Sequence, residues 1–170
     1  MKLCASFFLA SVVLLSSKVV FADSVYIDMV RVGDTHAGRP LGSIWAVDSW
    51  FLTLVTLNFG LSNVPSGSYQ VRLHEVPDCE RPGDVYNPYG DIPGQRIGDL
   101  LSDMVVEDGI LTGIHGIKPP TLTAEAHKLT VIEMRGHALL LHFVGVGDVG
   151  DVDDVVACGV VREGEWEHPR

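Results

Sequence analysis

The sequence has little positive charge. Twelve Lys and Arg stand against 22 Asp and Glu in 170 residues, a net charge of −10 with neutral histidines. So acidic a chain repels phosphate backbones and anionic headgroups, which excludes nucleic acid and acidic lipid as partners. Cysteine is scarce, with three in the chain. Helical periodicity is hardly present, no segment repeats, and no linker divides the chain. No histidine lies between His74 and His115.

The one long apolar run, Leu3 to Leu15, follows Lys2 and leads to Val20-Phe21-Ala22. This is the pattern of a secretory signal peptide cut after Ala22, too short and wrongly flanked for a membrane anchor. Cys4 stands at the very start of the apolar run, too early to accept a lipid. The expectation is a signal peptide at 1–22 and one exported domain at 23–170, periplasmic or secreted, with no membrane span after cleavage. Cleavage removes Lys2 and Lys18 and no acid, leaving 10 − 22 = −12 charges on 170 − 22 = 148 residues. That length suits a single core. Cys79 and Cys158 remain, and two thiols in an oxidising compartment predict one disulfide. Its loop spans 158 − 79 = 79 residues, and closing such a loop stabilises a fold by roughly 4 kcal/mol.

Short alternating runs dominate the rest. "SVYIDMVRV" (24–32), "GSIWAV" (42–47), "FLTLVTLNF" (51–59) and "SYQVRLHEV" (68–76) read as strands separated by turn-formers. A proline- and glycine-rich loop from Pro77 to Gly98 follows. "DMVVED" (103–108) and "ILTGI" (110–114) meet at Asp108-Gly109, a favoured hairpin dipeptide. "LTVIEM" (129–134), "HALLLHFV" (137–144) and "VVACGVV" (155–161) complete the set, with a charged tail from Glu163. About eight short strands at this spacing predict an all-β sandwich or barrel of Greek-key type.

Within "VRLHEVPDC" (71–79), residues two apart share a strand face. Val71 and Leu73 therefore point to the core, and Arg72 and His74 to the other side. This segment in its longer form "GSYQVRLHEVPDC" (67–79), together with "GDL" (98–100), "RGHALLLH" (135–142) and "ACGVV" (157–161), resembles the signature segments of the copper/zinc superoxide dismutases. The likeness is to the exported bacterial type. It implies an eight-stranded Greek-key β-barrel with one intrachain disulfide, from Cys79 in a loop to Cys158 on the last strand.

Carried over residue by residue, the resemblance implies a degenerate metal site. Two copper-ligand positions fall on Arg72 and His74, and the last copper position on His142. The histidine that bridges copper and zinc falls on Val85 in "VYNPYG" (85–90). One zinc histidine falls on Arg96, another has no candidate, and the zinc aspartate is Asp99. The aspartate that orients ligands of both metals falls on Val146, and the arginine that guides substrate on Val155. The loop that carries guidance reads "GVGDVGDVDD" (145–154), with four aspartates. His74, His142 and Asp99 are thus remnant ligand positions. A structural zinc site needs four good ligands, and copper(II) prefers several imidazoles. Arg72 cannot be neutralised to make room. The expectation is no resident cofactor, with copper at low affinity and no zinc.

The family's reaction is superoxide dismutation, and this chain is expected to have lost it and to act as a disulfide-braced scaffold binding an unidentified envelope partner. Two alternatives stand beside that reading: a functional dismutase, and a low-affinity copper-binding protein using His74 and His142. A homodimer of the bacterial type stays open. Arg72 and Arg96 are expected to pair with Asp99 as internal braces in place of metal.

The remaining polar residues read blandly. His137 lies five before His142, an odd offset that puts it on the opposite strand face as a surface or loop residue. His36, His115, His127 and His168 read as solvated, although convergence of some of them with His74 and His142 is an open alternative. Asp148, Asp151, Asp153 and Asp154 match no EF-hand spacing and read as a solvated acidic loop. Trp45, Trp50 and Phe51 read as core, with an exposed partner patch as the alternative.

Overall fold

A computed structural model of the chain describes residues 23–33, 37–49, 54–93, 95–117, 129–144 and 154–163. The expectations for segment 1–22 and for His36, Trp50, Phe51, His127, Val146, Asp148, Asp151, Asp153 and His168 lie outside the described residues. The elements are β1 (Ser24–Arg31), β2 (Pro40–Ser49), β3 (Leu54–Ser62), β4 (Gly67–His74), β5 (Asp99–Val106) and β6 (Ile110–Gly116). They continue with α1 (Val131–Met134), β7 (Ala138–Val144), β8 (Asp154–Val160) and β9 (Arg162–Glu163).

The strands hydrogen-bond in the order β5-β4-β7-β8-β1-β2-β3-β6, with β9 on β1. The pairs are antiparallel. Chain neighbours β3 and β4, and likewise β6 and β7, sit apart in this order, which is the Greek-key crossing. The result is a nearly closed eight-strand barrel. Among the described residues no helix is long and apolar enough to cross a membrane.

Alternation builds the interior. Val25, Ile27 and Met29 on β1, Leu57, Phe59 and Leu61 on β3, Tyr69, Val71 and Leu73 on β4, and Leu139 and Leu141 on β7 are all buried in one cluster. Each such side chain contributes about 1.5–3 kcal/mol when taken from water. Strand β7 is buried on both faces. Its other face, Ala138 and Leu140, packs with Cys158 in a second small cluster, joined by Val32, Cys79 and Val155. The Cys79–Cys158 disulfide seals this outer cluster. It fastens the 75–98 loop to the outside of the barrel wall.

Between β5 and β6, Asp108 (φ 53°) and Gly109 (φ 75°) both adopt left-handed backbone. That is the turn whose twist suits two joined antiparallel strands, and it explains the Asp-Gly pair. Strand β5 starts at Asp99, four residues earlier than its sequence pattern suggests. The pattern is broken because Ser102 and Asp103 form a bulge: Tyr69 pairs with Met104 but Val71 with Leu101. Asp103 takes φ 59° there.

Segment 129–134 is not a strand. Val131–Met134 is one helical turn whose N-cap Thr130 accepts from the Glu133 backbone N–H while the Glu133 side chain accepts from Thr130. This capping box satisfies the first-turn donors locally and outweighs the β-branched run. Asp48 Oδ1 accepts from the Val131 N–H at 3.1 Å and ties the turn to β2. Trp45 also departs from its expected place. It alternates with buried Ile44 and Ala46 and therefore lies half-buried on the outward face of β2.

Burial, reinforced by Asp23 and Glu133, pushes the Asp48 carboxyl above its ordinary range against the pull of the Val131 N–H. A raised folded-state pKa means that the folded protein holds this proton more tightly than the unfolded chain. The contribution is present below the unfolded value of about 3.9 and is lost as pH rises through the folded value. Asp48→Asn keeps the acceptor and removes the charge. Its melting temperature should exceed that of the parent at pH 7 and converge with it at pH 3. Replacing Cys79 by Ser should cost about 4 kcal/mol in urea unfolding, and reductant should bring the parent protein to the same midpoint.

Candidate functional site

Strand β4 lies between β5 and β7, and its register composes the site. Across β7, Gln70 pairs with His142, Arg72 with Leu140 and His74 with Ala138. Across β5, Arg72 pairs with Asp99. Side chains paired across a sheet share a face, so Gln70, Arg72, His74, His142 and Asp99 all lie outside the barrel wall, under the 75–98 loop.

Three backbones meet at the base of that loop. Leu73 N–H donates to Gly98 O at 2.8 Å, Gly98 N–H to Tyr86 O at 3.0 Å, and Tyr86 N–H to Leu73 O at 2.8 Å. A β-carbon on Gly98 would stand 2.6 Å from Leu73 O and 2.7 Å from Tyr86 O. Only glycine admits this approach. The crossing lays Val85 against β4, where it forms an isolated antiparallel bridge with His74 and is buried.

His74 (7% exposed) and His142 (4% exposed) stack with centroids 5.2 Å apart and an interplanar angle of 15°. Their Nε2 atoms are 3.1 Å apart. His74 Nδ1 lies 2.9 Å from Gly83 O. A carbonyl only accepts, so Nδ1 carries the hydrogen, and in the neutral ring His74 Nε2 accepts from His142 Nε2–H. Val155 is the register partner of His142 on β8.

The second half of the site is ionic. Arg96 Nε and Nη2 grip Asp99 Oδ2 and Oδ1 at 3.0 and 3.1 Å, and Arg96 N–H adds a bond to Oδ2 at 3.2 Å. Arg72 Nε stands 3.7 Å from Asp99 Oδ1, while its Nη2 donates to Gln70 Oε1 at 2.6 Å. The braces expected for Arg72 and Arg96 are therefore present, with Arg96 the closer partner.

The structure thus assembles the sequence-derived positions into two neighbouring groups. His74, His142, Val85 and Val155 form one, and Arg72, Arg96 and Asp99 the other. One histidine sits differently from expectation, and His137 lies in a loop as expected. His115 is on β6, half-buried and edge-on to Phe59 with centroids 5.5 Å apart, rather than solvated. His137 is a loop residue just before β7, and its Nδ1 lies 3.0 and 3.1 Å from the carbonyls of His74 and Glu75. Its ring lies 4.3 Å from that of Tyr86. The bond to the His74 carbonyl, in concert with Tyr86, buttresses the end of β4. The one sequence signal for it was its place at the start of β7, whose mate is the end of β4.

Among the described residues no group of three or more His, Cys, Asp or Glu side chains could hold a metal ion. The geometry gives the reason. A metal–imidazole bond is about 2.0–2.1 Å, so two imidazole nitrogens on one ion stand about 2.9 Å apart at a right angle and about 3.4 Å apart at a tetrahedral one. At 3.1 Å apart, His74 and His142 supply two donors, and each Nε2 is engaged by the other. Val85 offers no donor, and both Asp99 oxygens are engaged by guanidinium groups. These residues do not fit a copper–zinc pair.

No family model matches the sequence, and no curated protein matches it. Among solved structures, the arrangement is that of Greek-key β-barrels. The chain is similar to the Cu/Zn superoxide dismutase from Brucella abortus, at 18% identity and a TM-score of 0.57, covering 82% of this chain and 100% of that one. It is equally similar to the monomeric copper, zinc superoxide dismutase from Salmonella enterica, at 20% identity and a TM-score of 0.57, covering 82% and 99%. The chain has the Cu/Zn superoxide dismutase fold.

Gly98→Ala should destabilise the protein by about 1–3 kcal/mol, the usual cost of forcing atoms into a filled space. Chemical denaturation measures this, and an unchanged midpoint would contradict the crossing described.

Proposed function

We propose that this chain is an exported, divergent relative of the Cu/Zn superoxide dismutases that does not dismutate superoxide and serves as a disulfide-braced scaffold for a partner in the cell envelope. The observation that carries this reading is the direct contact of His74 and His142 beside Val85. Dismutation needs a metal that cycles between two oxidation states, and this donor set makes poor provision for one. Further support comes from charge. Superoxide is an anion, Val155 stands beside His142 where the resemblance implies an arginine, and the 145–154 segment carries four carboxylates. A net negative field lowers the local concentration of an anionic substrate.

One observation favours a second reading, a low-affinity copper-binding protein. The Nε2 atoms of His74 and His142 face each other 3.1 Å apart, within the roughly 2.9–3.4 Å that two imidazoles keep on one tetragonal or tetrahedral ion. Imidazoles suit copper better than they suit magnesium or calcium.

Purified protein loaded with copper and zinc, analysed for metal and assayed for superoxide dismutation, separates these readings. Neither metal and no activity is the expected result. Copper without activity would transfer support to the second reading, and stoichiometric copper with activity would overturn the first. Arg72→His adds a third imidazole to the face. It should raise copper binding in calorimetric titration without producing dismutation, because Val85 and Val155 remain.

A further inference from the structure

The ionic half of the site lies where the 75–98 loop rejoins the barrel, and its position suggests a purpose. Asp99 is the first residue of β5. It directly follows Gly98, where three backbones meet. Whatever fixes Asp99 also fixes the crossing, and through it Val85 and the cover over His74 and His142. Four groups fix it. The Arg96 fork binds both carboxylate oxygens, the Arg96 N–H adds a third bond, and the Asp99 N–H returns to Arg96 O at 2.9 Å. From the opposite side Arg72 brings a second guanidinium, itself steadied by Gln70. Side-chain exposure is 15% for Asp99, 19% for Arg96 and 21% for Arg72, so water screens these charges only in part.

We infer that Arg96, Asp99 and Arg72 form a clamp in which cations tethered to the chain hold the base of the loop, so that loop order does not depend on a bound metal. The planar fork matches both carboxylate oxygens at once, a geometry that lysine could not reproduce. This inference stands apart from the proposed lack of dismutation, because it concerns the order of a loop and is read without an activity assay.

Native-state hydrogen exchange tests it at the three amides of the crossing, Leu73, Tyr86 and Gly98, with Ile44 and Phe59 on β2 and β3 as internal standards. In the parent protein, exchange at the crossing should be the same in EDTA and in excess zinc. Asp99→Asn should speed exchange there about tenfold, the factor that corresponds to losing one charge-assisted hydrogen bond, and leave the standards unchanged. Arg96→Gln should act similarly, and the double variant should exchange little faster than either single one, because both remove the same interaction. Arg96→Lys retains the charge but not the fork and should fall between. It also serves if Asp99→Asn fails to fold. Zinc slowing the exchange of the parent, or EDTA speeding it, would overturn the inference. So would unchanged exchange in the single variants, or purely multiplicative effects in the double one.

Discussion

The site depends on one backbone constraint, the triple crossing of Leu73, Tyr86 and Gly98. It converts a long irregular loop into a fixed lid over one face of β4 through main-chain hydrogen bonds. Side chains then fill the positions that it sets. Val85 is pressed against His74, Asp99 is delivered to two arginines, and His137 caps the end of β4 through the His74 carbonyl. A loop of this length would otherwise expose its polar backbone and move freely. The disulfide to β8 holds its other shoulder.

The fold and the polar residues of the site can vary independently because the two occupy opposite sides of the same strands. Val71, Leu73, Leu139 and Leu141 face the barrel interior. Arg72, His74 and His142 face outward, and exchanging them leaves the core cluster untouched. Interior packing carries the stability and tolerates little change in volume, whereas outward positions are free to change chemistry provided that buried polar groups find partners. Here they do so: imidazole finds imidazole, and carboxylate finds guanidinium.

Much of this was legible in the sequence. Alternation located β1, β4 and β7, the Asp108-Gly109 pair located a hairpin, and the spacing of Arg72 and His74 put both on the outward face. The two remaining cysteines foretold their bond. The failures have physical causes. "LTVIEM" looks like a strand by its branched residues, yet Thr130 and Glu133 stand at capping-box spacing, a local hydrogen-bond signal that hydrophobic pattern does not register. The start of β5 was hidden by the bulge at Asp103, which shifts the alternation. The resemblance implied that His74 and His142 lie near each other, but their direct contact was not readable. It depends on how closely β4 and β7 bring two rings 68 residues apart in the chain, a tertiary distance that no local pattern encodes.

The order of the strands also has a meaning in time. Strand β1, the first to be synthesised, hydrogen-bonds not only β2 but also β8 and β9, and Cys79 must wait for Cys158. Loop-closure entropy is spent before such distant pairings return anything. A chain emerging from its amino terminus can form the β1–β2–β3 meander early, but it can neither close the barrel nor anchor the 75–98 loop until β8 is present. Folding is therefore a single late event that requires nearly the whole chain. A polypeptide so constituted stays open for most of its synthesis, which is the condition in which a chain can be threaded across a membrane.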